Sequence, residues 1–288
     1  MGSVKSMEVS PRYDGSPIIS IAGAPDDQLA PVVRQRRRTQ AMIADLSDDE
    51  WSSATRCEAW VVQDVVAHMV SVNDFWTTSM RAGLAGTPTR MMTGFDPAAT
   101  PELFVAPMRA LAPREVLDRY VASNDAFVDV VEGLDESGWA ILAESPAGHV
   151  PIRLIAHHAL WDTWIHERDI ALPLGMTTPE EPDEVGSCLR YAAALSPALA
   201  IGSGHAIDGV LAVDASNPTV RFVLEVGESV AIRDDVPPND APCLGGDAVA
   251  LVEALSVRAP LPASAPSEWR HLVGSLATAF DVELQTSR

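Results

Sequence analysis

The sequence predicts an α+β protein in which a four-helix bundle is followed by a small α+β domain. Apolar residues recur at helical spacing through four long segments of the first half, with no strand signal between them. After about residue 205, short apolar runs separated by turn residues replace this pattern. The chain has 288 residues, of which 47% are hydrophobic, and this is enough for two domains with substantial cores.

The domain bounds follow from where these patterns change. Residues 1–25, rich in Ser, Pro and Gly, are predicted to be a disordered N-terminus, residues 26–200 the helical bundle, and residues 205–288 the α+β domain. Bundle helices are expected over 26–46, 60–84, 113–133 and 153–172, with a further helix over 182–200. C-terminal strands are expected over 208–215, 219–227 and 229–235, and helices over 246–259 and 267–280. Residues 84–112 are expected to form a long loop that is either functional or disordered. This loop and the cleft between the two domains are the expected places of substrate recognition.

The chain is strongly acidic, and this charge limits the classes of partner that it is expected to bind. Its 20 basic and 40 acidic residues give a net charge of -20, which disfavours binding to nucleic acid and to anionic membranes. The basic cluster Arg34–Arg38 is interpreted as a solvated helix face, with an entrance for an anionic substrate as the alternative. No apolar run is long enough to span a bilayer, and the N-terminus lacks the pattern of a signal peptide.

The three cysteines also bear on the compartment. Cys57, Cys188 and Cys243 are far apart and form no Cys-X-X-Cys pair, so the simplest expectation is a reducing cytoplasm. Cys57 is interpreted as a non-catalytic residue near the entrance of a site, and the other two as small apolar core residues.

A row of polar residues interrupts the apolar face of the fourth helix. A spacing of four places His158, Asp162 and His166 on one side of that helix, and the second helix carries Asp64 and His68 at the same spacing. Facing helices of a bundle can hold a metal ion, and His68, Asp162 and His166 would supply three ligands and leave an open position. The same spacing also fits Asp–His pairs on a helix surface or hydrogen-bonded core histidines.

Two segments resemble a known family. The segments "TRCEAWVVQDVVAHM" and "HHALWDTWIHERDIALPLG" are similar to motifs of the mycothiol-dependent maleylpyruvate isomerase family of DinB-like bundles. Members show Trp, Asp and His at four-residue spacing on the second helix, here Trp60, Asp64 and His68. On the fourth helix they carry an acidic residue four positions before a His, here Asp162 and His166. The best-known member has Glu at the position of Asp162, and the Asp side chain is one methylene shorter than that of Glu.

The resemblance implies both a fold and a chemistry. The fold is a DinB-like metal-binding bundle, often followed by a C-terminal domain with a few strands and two helices. The implied function is that of a mycothiol-dependent isomerase or S-transferase. In such an enzyme a metal-bound thiolate attacks an electrophilic small molecule, maleylpyruvate or another compound. The expected partners are therefore a low-molecular-weight thiol and a small electrophile. The cofactor is a divalent metal, with zinc as the first choice because two imidazoles and one carboxylate suit it.

Three residues beside the motifs are given supporting roles. Asp64 is expected to orient an imidazole or a nearby backbone group, with an exposed helix acid as the alternative. Trp60 and His158 are expected near the metal or the substrate, although His158 also fits an ordinary helix residue.

Four further residues complete the predictions. Arg221, in the strand "TVRFVLEV", is a candidate to bind a substrate carboxylate unless strand alternation points it to solvent. His157 lies on another helix face and is expected to be structural, and Arg168 and Asp169 are expected to form surface pairs.

Two other functions remain open at this point. A metal-dependent hydrolase would keep the metal and activate water instead of a thiol. A non-catalytic metal-binding or regulatory protein would keep the bundle alone. Thiol dependence separates the first alternative from the proposed enzyme, and metal content separates both enzymes from a metal-free binder.

Overall fold

The computed structural model describes residues 10–22, 28–204 and 208–287. In this part of the chain the first half forms a bundle of four long helices, with a short helix α3 between the second and third. Their bounds are Leu29–Ala44 for α1, Val62–Leu84 for α2, Thr100–Val105 for α3, Pro113–Glu132 for α4 and Ile152–Ala171 for α5. The predicted fold class is confirmed, and each predicted bundle helix agrees with the structure to within a few residues.

Two of these helices begin where a side chain satisfies a free backbone donor. The N–H of Val61 donates to Asp64 Oδ2 at 3.2 Å, and the N–H of Ala112 donates to Glu115 Oε2 at 2.9 Å. In α4 the first helical residue is Pro113, which has no N–H to satisfy. The start of α2 is therefore fixed nearly two turns before His68.

A β-hairpin interrupts the bundle between α4 and α5. Strands β2, Leu142–Ser145, and β3, Gly148–Pro151, pair antiparallel. The expectation of no strand in this half was wrong because each strand has only four residues, too short for a recognisable alternation. The N-terminal segment completes the hairpin, since the N–H of Arg12 donates to the carbonyl of Ala147. Gly148, at a φ of 107°, allows this approach, because a Cβ there would lie 1.9 Å from the Arg12 carbonyl oxygen.

The prediction of disorder over residues 1–25 needs correction where the structure describes the chain. Ile19–Ile21 form strand β1, which pairs in parallel with a strand of the C-terminal sheet, and Ile18 and Ile19 are buried. The local composition is that of a loop, but the distant sheet supplies both backbone partners and an apolar surface. Residues 1–9 and 23–27 lie outside the described residues.

The C-terminal part contains a five-stranded sheet with the order β1-β6-β5-β4-β7. The three predicted strands are present as β4, Gly209–Ser216, β5, Val220–Val226, and β6, Val230–Arg233. Strand β7, Cys243–Asp247, was not predicted, because its two glycines hide any alternation. It is followed by α7, Ala248–Leu255, and the last predicted helix is split at Gly274 into α8, Arg270–Val273, and α9, Ser275–Ala279.

Helix α6, Pro182–Gly202, joins the two halves. By length and composition alone it could cross a membrane, contrary to the expectation from the sequence, but 83% of its apolar window is buried inside the protein. It packs against α5, α7 and the sheet, and one apolar core runs from the bundle through α6 to the sheet. It is therefore the central core helix, and the division into domains at residues 200–205 stays a prediction.

Candidate metal centre and its cavity

The centre is built on α5, which is buried along nearly its whole length and faces α2. His166 Nε2 lies 3.6 Å from Asp162 Oδ1, and His68 Nε2 lies 4.0 Å from the same oxygen. The rings of His68 and His166 are 4.9 Å apart, and one ligand atom from each of the three residues lies within 4.8 Å of the others. The structure therefore brings the three predicted ligands together across two helices.

The donor set of this cluster fits a divalent cation. Two imidazoles and a carboxylate are ligands that zinc accepts, and metal–ligand distances of about 2.1 Å put tetrahedral ligands about 3.4 Å apart. The side chains are 9–14% exposed, and His68 Nδ1 is buried without a hydrogen-bond partner among the described residues. A buried polar atom without a partner costs free energy.

The charges of the cluster also suit a cation. Burial raises the pKa of Asp162, but the nearby charges of His166 and His68 outweigh it and hold that pKa well below the usual range. Burial lowers the pKa of His166, but Asp162 and Asp169 raise it to about 10. Burial lowers the pKa of His68. A metal ion would therefore meet an ionised carboxylate and displace a proton from His166.

Asp169 holds the other side of His166. Its Oδ2 is 3.1 Å from His166 Nδ1, and the same carboxylate accepts hydrogen bonds from Arg56 Nε at 3.0 Å and Arg258 Nη2 at 2.8 Å. Burial raises the pKa of Asp169, but His166 and Arg258 keep it far below the usual range. A carboxylate on the remote nitrogen fixes the tautomer and leaves Nε2 free to face Asp162.

The prediction that Arg168 and Asp169 form surface pairs was wrong. Asp169 is fully buried and Arg168 is 8% exposed, with its Nε donating to Glu253 Oε1 at 2.7 Å. The partners Glu253 and Arg258 come from α7 and the segment after it, about 85 residues along the chain. The sequence pattern of α5 does not show that the C-terminal part of the chain packs over the end of this helix. That end was therefore expected to face solvent.

Asp64 on α2 and Trp60, just before this helix, flank the centre. Asp64 accepts from the Val61 backbone, as one of its predicted roles requires, and its Oδ1 also accepts from Arg109 Nε at 2.8 Å. The ring of Trp60 lies 5.2 Å from that of His68, and its Nε1 donates to Glu102 Oε2 at 3.2 Å. Both residues therefore support the wall beside His68.

His158 lies one turn before Asp162 in an aromatic cluster. Its Nδ1 is 2.6 Å from the hydroxyl of Tyr191, and its ring packs against Trp76 at 4.7 Å and Trp161 at 5.5 Å. Burial lowers its pKa to about 4, so it is neutral at neutral pH. His158 is thus placed at the cavity wall, while its neighbour His157 bonds Ser187 Oγ at 2.7 Å on another face of α5.

Arg221 lies elsewhere, and its prediction as a substrate contact is corrected. Its side chain is 71% exposed and pairs with Asp214 across the sheet at 2.9 Å. In the described part of the chain, Arg221 is not among the residues that line the cavity. Strand alternation points it to solvent, and the arginines at the cavity are instead Arg56, Arg109 and Arg258.

The basic cluster on α1 also differs from the prediction of a solvated face. Arg36 is 1% exposed and donates to Asn73 and Asn124, and Arg38 donates to Glu167 and Glu184. These contacts tie α1 to its neighbours in the bundle. The four arginines of this cluster do not line the cavity in the described residues, so they form no entrance to it.

The cysteines differ from one another. Cys57 lines the cavity, and its thiol donates to the buried Asp169 Oδ2 at 3.3 Å, while its place near the entrance stays a prediction. Cys188 is fully buried in the core, where the desolvation of the thiolate raises the pKa of its thiol. Cys243 is exposed, so the prediction of a core residue was wrong at this position, where β7 is a sheet edge.

The centre opens into a cavity of about 1820 Å³. Its walls come from α2, α5, α6, α9 and the C-terminal segment, and its mouth from residues 91–109. The long segment predicted to recognise substrate thus does line the cavity, and part of it is the helix α3. The cavity was not derivable from the sequence, since its walls come from opposite ends of the chain.

Glu144 of the hairpin holds this mouth in place. It is fully buried and accepts hydrogen bonds from the backbone N–H groups of Met91 at 2.8 Å and Met92 at 2.7 Å, and from the Tyr13 hydroxyl at 2.7 Å. Burial raises the pKa of Glu144, but these donors outweigh it and lower that pKa. Sequence analysis missed this residue, because neither its burial nor its partners show in a four-residue strand.

Comparison with known proteins identifies the bundle. Residues 32–171 match the family described as "Mycothiol maleylpyruvate isomerase N-terminal domain". Crystal structures of a mycothiol-dependent maleylpyruvate isomerase and of its histidine-to-alanine mutant are similar in fold, each with a TM-score of 0.59. They are 16% and 15% identical in sequence, and each alignment covers 81% of this chain and 88% of the other. A search of curated proteins gives no match. Residues 32–171 therefore match this domain family, and the family resemblance predicted from the motifs is confirmed.

Proposed function

We propose that this protein is a metal-dependent enzyme that uses mycothiol as a thiol cosubstrate, acting as an isomerase or an S-transferase on an electrophilic small molecule. The observation that carries the proposal is the convergence of His68, Asp162 and His166 at one wall of a large cavity, within a domain of the mycothiol maleylpyruvate isomerase family. Three protein ligands beside open space are the arrangement of a catalytic metal site rather than a structural one.

The roles of the residues follow from their contacts. His68, Asp162 and His166 would hold a divalent cation, with zinc as the first choice because the donor set suits it. When bound, such a cation supplies the positive charge that stabilises a thiolate at neutral pH. Asp169 keeps the proton on His166 Nδ1, so that Nε2 stays available as a ligand.

The cavity wall would position the electrophile. Arg258 and Arg56 fix Asp169, and their ion pairs close the polar side of the site behind His166. His158 is neutral and already bonded to Tyr191, so it offers a ligand no charge. The acidic chain and the absence of disulfides among the described residues fit an enzyme of a reducing cytoplasm, which we include in the proposal.

The experiment is a thiol-dependence assay on zinc-loaded protein, with maleylpyruvate or 1-chloro-2,4-dinitrobenzene as electrophile. We expect turnover that requires mycothiol and falls to the uncatalysed rate after chelation and in His68→Ala and His166→Ala. His271→Ala, at an exposed histidine outside the cavity, is the matched control and should keep full activity.

Each other outcome is informative. Equal turnover in the two cavity variants and in the control would overturn the proposal. Metal-dependent turnover of an ester without any thiol would replace it with the hydrolase alternative.

A further inference from the structure

One part of the cavity wall is apolar and aromatic. Two neighbouring aromatic residues of α2, Phe75 and Trp76, face this space together with Trp161 of α5. Helix α6 adds Leu195 and Leu199. Leu276 of α9 and Phe280 just after it complete this wall, which we call the apolar chamber. Ring centroids of Phe75 and Trp76 are 4.7 Å apart, so the chamber offers edges and faces to an aromatic ligand.

The charged groups of the cavity are unsuited to a dianion. Six carboxylates line it against three arginines; the acids are Glu58, Asp64, Asp74, Glu102, Asp162 and Glu283, and the bases Arg56, Arg109 and Arg258. Every one of these arginines is already paired. Arg109 binds Asp64 and Glu102, while Arg56 and Arg258 share Asp169. Even when the two charges of a bound divalent cation are counted, five positive charges face six negative ones, and a ligand with two carboxylates would have to break these arginine pairs.

The mouth of the cavity is apolar as well. Leu103 is 71% exposed, Phe104 is 55% exposed and Met91 is 49% exposed, and all three line the entrance. The volume of about 1820 Å³ also exceeds the range of about 300–1,000 Å³ that is common for small-molecule sites. An apolar compound would therefore be desolvated from the entrance inward.

We propose that the electrophile of this enzyme is an uncharged aromatic compound that lies in the apolar chamber, with its reactive carbon directed toward His68 and His166. This inference names the substrate class and rests on the proposed function. In a substitution on an aryl chloride, the thiol sulfur forms a bond to the ring carbon and the carbon–chlorine bond breaks. Chloride leaves with the electron pair, and the thiol proton passes to solvent.

The first test is equilibrium binding, which needs no turnover. Trp76 and Trp161 line the chamber, so a bound nitroaromatic compound should quench their fluorescence. We would titrate the zinc-loaded protein with 1,3-dinitrobenzene, which is uncharged and unreactive, and with maleate, a small dianion, in a calorimeter. We expect the aromatic compound to bind at least tenfold more tightly than maleate.

A variant pair locates the binding. Phe280→Ser truncates a half-buried chamber wall, and we expect it to weaken 1,3-dinitrobenzene about tenfold, since one lost aromatic contact is worth about that factor. Val236→Ser, at a residue that is 91% exposed, is the control and should bind as the parent does. If Phe280→Ser fails to fold, Leu199→Met keeps the volume and should change the affinity by less than threefold, while Leu199→Gln should weaken it.

The outcomes separate this inference from the proposed function. Tight maleate binding with no measurable binding of 1,3-dinitrobenzene would overturn the inference even if thiol-dependent turnover is present. Aromatic binding that is lost in Phe280→Ser would support it even if no thiol reaction is found, and the proposed function would then fail alone. Equal quenching in Phe280→Ser and the parent would place the aromatic compound elsewhere and overturn the inference.

Discussion

Asp162 and Asp169 lie two turns apart on the same buried helix, and their surroundings differ. Asp169 accepts from Arg56, from Arg258 and from His166, at distances of 2.8–3.1 Å. Asp162 has histidine nitrogens at 3.6 and 4.0 Å, too far for good hydrogen bonds. A buried carboxylate whose lone pairs are filled by arginines stabilises the fold. A buried carboxylate that faces imidazoles across a gap is ready for a ligand that the protein does not supply.

The largest effect is expected at Asp162. Asp162→Ala removes the anionic ligand, and we expect zinc affinity to fall at least about 100-fold, more than the loss usual for groups that only orient a ligand. Competition with a chromophoric chelator measures it.

Asp162→Glu keeps a carboxylate and is the matched control, with an affinity expected within about tenfold of the parent. Undiminished zinc binding in Asp162→Ala would mean that this carboxylate is no ligand, and the contrast with Asp169 would lose its functional meaning.

The next effect concerns Asp169 and stability. Arg258→Met leaves the buried carboxylate short of one partner, so we expect the free energy of unfolding in urea to fall by about 3 kcal/mol. Arg221→Met breaks an exposed pair and should change that free energy by no more than about 0.5 kcal/mol. Equal losses in the two variants would show that the buried pair contributes no more than a surface pair.

Glu144 is a third buried carboxylate in this comparison, and its partners are backbone N–H groups and the Tyr13 hydroxyl rather than arginines. Glu144→Gln turns one acceptor into a donor that faces N–H groups, and we expect a loss of about 1–3 kcal/mol. Hydrogen exchange at the amides of Met91 and Met92 should accelerate with it. Exposed Glu228→Gln serves as the control, and unchanged exchange in Glu144→Gln would show that the loop is held by other contacts.

His157 extends the comparison to histidines and carries the smallest effect. Unlike His166, it has no carboxylate partner among the described residues, and burial lowers its pKa from 6.5 to about 3. Protonation therefore favours the unfolded chain, so stability that is present above the unfolded pKa is lost as the pH falls below it. Between about pH 7 and about pH 5.5 this loss is about 1 kcal/mol, and His157→Gln should remove it.

Urea unfolding at both pH values measures this loss, with exposed His271→Gln as the control. The same acid sensitivity in His157→Gln and in the parent would assign the loss to another group.

The bundle and the three candidate ligands could be predicted from the sequence because both depend on the local spacing of residues. Helical apolar periodicity predicted α1, α2, α4 and α5, and four-residue spacing put Asp162 and His166 on one face. The motifs around Trp60 and His68 then supplied the partner from α2.

What the sequence did not predict depends on contacts between distant segments. The burial of Asp169 requires Arg258, nearly 90 residues further along the chain, and the burial of Glu144 requires Tyr13 and the Met91–Met92 backbone. Strand β1 was missed for the same reason, because its partner β6 lies more than 200 residues away. No local sequence pattern indicates that a distant segment will bury these residues.

The most direct test of the central claim is the metal content of the purified protein by elemental analysis. We predict about one divalent ion per chain, lost in His68→Ala and in His166→Ala and retained in His271→Ala. No bound metal in protein that was purified without chelator and then reloaded with zinc would contradict the claim. It would make His68, Asp162 and His166 a polar contact between two helices.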